Sequence, residues 1–91
     1  MCRSVRTRAK RPLRQAVRQD PRLASAWVLL SGVMYRQLNV LEANRAAQAA
    51  YEADAYLRSA ENVLWRLFAT SYDLAQPADA ERWCATLGER F

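Results

Sequence analysis

Nine carboxylates, two thiols and no histidine set the limits on the chemistry open to this 91-residue chain. Without histidine, imidazole acid–base catalysis and imidazole metal ligation are both unavailable. Glu42, Glu52, Asp54, Glu61, Asp73, Asp79, Glu81 and Glu89 are scattered over helix starts and polar faces, where solvation and capping place such residues. Cys2 and Cys84 lie near opposite ends, without the density or spacing of a disulfide framework or a zinc site, so a reducing, cytoplasmic setting is expected. On the apolar face of the last helix, Cys84 reads as a small buried hydrophobe. No enzyme activity, metal or cofactor is expected. What remains is a set of tyrosine, tryptophan and arginine residues, the side chains that most often anchor protein interfaces.

Positive charge is the other chemical resource, and it is unevenly placed. The net charge is +5, yet residues 1–22 hold eight Arg and Lys against Asp20 alone, a local +7, while residues 23–91 hold six Arg against eight acids, a local −2. Residues 1–7 read as a disordered basic arm, and residues 8–91 as the folded domain. Such an arm binds phosphates by counterion release, but it lacks interleaved aromatics for base stacking. Nonspecific nucleic-acid affinity is expected from it. A small basic helical nucleic-acid-binding protein is the alternative to an interaction module. The longest apolar run, Ala26 to Leu30, is far short of the roughly 20 residues of a membrane span.

The elements that must position these groups are helices. Two glycines, three prolines and abundant Ala and Arg favour an all-α chain. A helix is expected from Arg8 to Gln19, ended by Asp20-Pro21, with the same dipeptide capping and starting the next helix, about Arg22 to Gln37. There Trp27, Leu30, Met34 and Leu38 form an apolar stripe, and Gly32 reads as a place of close approach. Asn39 is expected to cap a helix from Val40 to Asp54, where Ala43, Ala47 and Ala50 make a small-residue face and Asn44, Arg45, Gln48 and Glu52 lie on other sides. After a long connection at residues 55–58, Ser59 caps a helix from Ala60 to about Asp73. Gln76-Pro77 opens a last one carrying Ala80, Trp83, Cys84, Leu87 and Phe91.

Self-similarity organises these helices further. A shift of 37 residues superposes Leu30 on Leu67, Tyr35 on Tyr72, Ala43 on Ala80, Arg45 on Arg82 and Glu52 on Glu89. With Trp27-x-x-Leu30-Ser31, the aromatic at Tyr35, then Ala43, Ala47 and Ala50, and with Pro21 ahead of them, the order of large, small and aromatic positions resembles the tetratricopeptide repeat. Ser31 stands where glycine is typical, Ala47 replaces an aromatic, and no proline follows Ala50. Leu64-Trp65-Arg66-Leu67-Phe68 and Glu81-Arg82-Trp83-Cys84 are also similar to repeat regions appended to bacterial serine/threonine kinases.

The resemblance implies an α-solenoid of antiparallel helix hairpins, about two and a half repeats long, acting as a protein–protein interaction scaffold. It places Ser25, Tyr35 and Arg36 of one repeat, and Asn62, Trp65, Arg66, Tyr72 and Asp73 of the next, along a concave groove for a partner peptide or helix, with Val28, Gly32 and Ala69 between them. The same aromatic residues lie beside the core stripes, so Trp65 and Tyr72 filling the seam between repeats is the other use open to them. Because so short a stack leaves its ends uncovered, self-association or a larger host protein is expected.

Overall fold

In a computed structural model the chain is all-helical, with no strand among the described residues. The structure describes residues 11–91; residues 2–10 enter only in the bounds of the first helix, and the disordered arm expected over residues 1–7 lies outside the described residues. The five helices are α1 (Cys2–Gln19), α2 (Ala24–Arg36), α3 (Val40–Ala53), α4 (Ala60–Asp73) and α5 (Pro77–Arg90), and each packs against the next in sequence. No helix among the described residues is long and apolar enough to cross a membrane.

The 37-residue periodicity is carried by the backbone itself. Shifting α3 by 37 gives the bounds of α5, and the last residue of α2, Arg36, falls on the last residue of α4, Asp73. The turns repeat as well. Leu38 and Ala75, 37 apart, both adopt left-handed backbone, with φ of 61° and 56°. Around each, two hydrogen bonds close the preceding helix. Leu38 N–H donates to Tyr35 O (3.0 Å) and Asn39 N–H to Met34 O (2.9 Å), while Ala75 N–H donates to Tyr72 O (3.0 Å) and Gln76 N–H to Ser71 O (2.9 Å). This is the Schellman closure, which satisfies the last carbonyls of a helix and turns the chain back.

Leu38 therefore leaves the stripe in which its spacing placed it: it is 84% exposed, because the left-handed turn swings it off the α2 face. Other local expectations also shift. Asn39 and Ser59 precede α3 and α4 but make no side-chain capping bond. Asp20 does not start α2. Its Oδ1 accepts the Arg22 N–H (3.1 Å), an Asx turn that spends the carboxylate before the helix begins at Ala24. Pro77 does open α5, where its missing N–H costs nothing.

The core consists of two clusters that share α3. Val17, Ala26, Leu30, Met34, Ala43 and Ala46 form the first, and Ala47, Ala50, Val63, Leu64, Leu67 and Leu87 the second. Alanines on two sides of α3 let α2 and α4 approach it closely with larger side chains. Trp27 is packed against both clusters, and its indole N–H donates to Pro21 O (2.8 Å).

Buried polar bonds fix how the helices meet. Ser31 Oγ donates to Ala43 O (2.9 Å), tying α2 to α3. Asn44, expected away from the core, is buried; its amide donates to Thr70 Oγ1 (2.7 Å) and Ser71 Oγ (3.3 Å) on α4, and its oxygen accepts from Gln48 (2.6 Å). Cys84 is exposed instead of buried. It sits 37 residues after Ala47, whose face α4 covers, and no described helix covers α5 in the same way.

Candidate interaction groove

Helical spacing puts Val28, Leu29, Gly32 and Arg36 on one side of α2, and Asn62, Trp65, Arg66 and Ala69 on the matching side of α4. The two sides are related by the 37-residue shift. Between them, with Pro12 and Leu13 of α1 as a third wall, lies an open groove of about 910 Å³. Gly32 and Ala69, at equivalent positions, keep its floor low. An adjoining recess of about 530 Å³ shares Val28, Leu29 and Asn62 with the groove and extends it past Ser25 to Leu57, Arg58 and Ser59.

Two large apolar side chains stand open here, Leu29 at 60% exposure and Trp65 at 55%. Trp65 meets the Phe68 ring edge-on (6.0 Å), and Phe68 lies tilted against Tyr72 (6.4 Å), so α4 carries an aromatic strip on its surface. Trp65 is thus too exposed to be filling a seam. Adjacent exposed apolar groups in a concavity are the usual mark of an interaction site.

Arg66 lines the groove from α4 and is partly buried. Its guanidinium lies over the Tyr35 ring, 5.5 Å from the centroid, and its Nη1 is 3.3 Å from where a side chain at residue 32 would begin. Gly32 is therefore the place of close approach read from the sequence, and what approaches is Arg66. Burial, and then the neighbouring Arg36 charge, push the Arg66 pKa below its ordinary value, with Tyr35 opposing them. The Tyr35 hydroxyl donates to Asp73 Oδ2 (3.4 Å), linking α2 and α4 at the end of the groove.

Of the residues expected along a concave surface, Tyr35, Arg36, Asn62, Trp65 and Arg66 line the groove, and Ser25 lines the adjoining recess. Tyr72 and Asp73 line neither; Tyr72 is 72% exposed beside Phe68, and Asp73 reaches the site only through Tyr35. Sequence reasoning missed Leu29, Val33 and the α1 wall. The signal for Leu29 was available, since it adjoins Val28 and falls outside the Trp27–Leu30–Met34 stripe.

On another side of the molecule, Arg14, Arg18, Arg45 and Glu42 rim a crevice of about 630 Å³ between α1 and α3. There the Arg45 guanidinium pairs with Glu42 (3.4 Å). Among the described residues no group of His, Cys, Asp and Glu is placed to hold a metal ion. No family model matches the chain, and no curated protein or solved structure matches it.

Proposed function

We propose that the chain is a protein–protein interaction module that receives a peptide or helix of another protein in the groove between α2 and α4, without catalysis. Its architecture on this reading is a short solenoid of the tetratricopeptide kind. Support for that architecture comes from the 37-residue repetition of helix bounds and Schellman turns, and from groove walls that occupy equivalent positions of two hairpins. The observation that carries the function is the juxtaposition of exposed Leu29 and Trp65 in a concavity that the chain's own packing leaves open.

The test is selection of binders from a random peptide library on the full chain, followed by titration against Leu29→Ala and Trp65→Ala. Truncating a tryptophan hot spot costs about 2 kcal/mol or more, so at least about a 30-fold loss of affinity is expected from Trp65→Ala, and a smaller loss from Leu29→Ala. Unchanged far-ultraviolet circular dichroism shows that the variants still fold. A selection yielding only peptides indifferent to both substitutions would refute the groove.

A further inference from the structure

Helix α1 borders two cavities. Pro12 and Leu13 wall the groove, while Arg14, Val17 and Arg18 line the crevice that separates α1 from α3. Arg45 of α3 lines that crevice too, so the fold brings a cation from outside the basic N-terminal segment to join it. Arg14 and Arg18 lie one helical turn, about 6 Å, apart along α1. Among the described residues neither is in an ion pair, and the carboxylate lining the crevice, Glu42, is held by Arg45 (3.4 Å).

The amount of charge and its extent point to a polyanion. Residues 1–22 hold eight Arg and Lys against Asp20 alone, and α1 takes up most of that segment. An 18-residue helix is about 27 Å long, and a nucleic-acid duplex beside it carries roughly 16 phosphate charges over that length, at one per about 1.7 Å. A lone anion cannot match a charge spread so far.

The apolar groups decide which polyanion fits. Leu30, Met34 and Ala46 on the crevice floor are buried, and Trp27 packs on both core clusters with its indole N–H given to Pro21 O. No aromatic face of the crevice is therefore left on which the bases of a single strand could stack. A membrane surface would call for apolar side chains among the cations to insert. Instead, Leu13, Ala16 and Val17 of α1 pack into the first core cluster, and the exposed Leu38 and Leu41 stand at the α2–α3 turn and do not line the crevice.

We propose that the surface formed by α1 and α3 holds duplex nucleic acid by its phosphates, through Arg14, Arg18 and Arg45, without reading base sequence. Glu42 opposes this binding and Arg45 offsets it. The surface is separate from the groove between α2 and α4, so a peptide and a duplex can be held together.

Fluorescence anisotropy of an arbitrary labelled 20-base-pair duplex with the full chain, over a salt series, tests the proposal. A log–log salt slope of roughly −3 or steeper is expected, at about −0.9 per neutralised phosphate. Arg18→Gln and Arg45→Gln, both at exposed sites, should each weaken binding severalfold whatever the sequence and reduce the slope by about 1. Glu42→Gln should tighten binding a few-fold, whereas Arg82→Gln on α5 should leave the slope unchanged. Circular dichroism of each variant shows that it still folds. A wild-type slope in both Arg18→Gln and Arg45→Gln, or an equal loss in Arg82→Gln, would overturn the proposal, because binding would then follow overall charge and not this surface. Preference for a single strand of the same length, or displacement of the duplex by anionic vesicles at equal phosphate concentration, would overturn it in favour of those partners.

Discussion

Arg66 is a guanidinium that the fold half buries without any carboxylate of the groove to receive it, and that arrangement has a consequence for stability. Because folding lowers its pKa, the folded state binds the Arg66 proton less tightly than the unfolded chain does. At every pH below that lowered value the charge opposes folding, and relief comes only as pH rises through it. Arg66→Met keeps the stem and removes the charge, with loss of the contact to Tyr35 as the opposing effect. The urea midpoint of Arg66→Met at neutral pH is expected to equal or exceed that of the wild type. A clear fall would mean that Arg66 is a structural residue and not one kept at a stability cost for binding. Gly32 was legible at this scale as a point of close approach, but the group that approaches was not, because Arg66 is 34 positions away. Asn44 was misread for the same reason: its partners Thr70 and Ser71 lie on α4, and nothing near residue 44 announces them.

At the scale of elements, the two Schellman turns are the clearest repeated feature, and each holds a residue other than glycine at positive φ. A left-handed L-residue costs roughly 1–2 kcal/mol, partly offset when glycine replaces it by the greater freedom of the unfolded chain. Leu38 is 84% exposed and Ala75 is exposed, so neither contributes core packing that a substitution would forfeit. Leu38→Gly and Ala75→Gly are each expected to stabilise the chain by about 0.5–1 kcal/mol. Urea titrations with unchanged slope and raised midpoint would show it, and a lowered midpoint in both would mean that the turns are not strained. These turns also mark the limit of reading helices by periodicity. The bounds of α3, α4 and α5 follow from apolar spacing and from Pro77, whereas the exit of α2 through Leu38 breaks the stripe by a backbone event that side-chain types do not encode. Asp20 misled in a similar way, since Asp before proline suits both a helix cap and an Asx turn, and the second is what forms.

For the whole molecule, α3 is the shared plank: its alanines serve both core clusters, and the groove is what remains when α2 and α4 lean on it from two sides. The all-helical class and most of the groove were legible, because helical spacing separates Ser25, Arg36, Asn62, Trp65 and Arg66 from the buried stripes. The α1 wall was not, since Pro12 and Leu13 reach the groove only through tertiary packing. A partner is expected to bind the surface between α2 and α4. When the isotopically labelled full chain is titrated with a peptide selected on it, amide chemical-shift changes should concentrate in residues 25–36 and 58–69, with side-chain signals of Trp65 and Arg66 among the largest. Changes concentrated on α5, or around Arg14, Arg18 and Arg45, would contradict it.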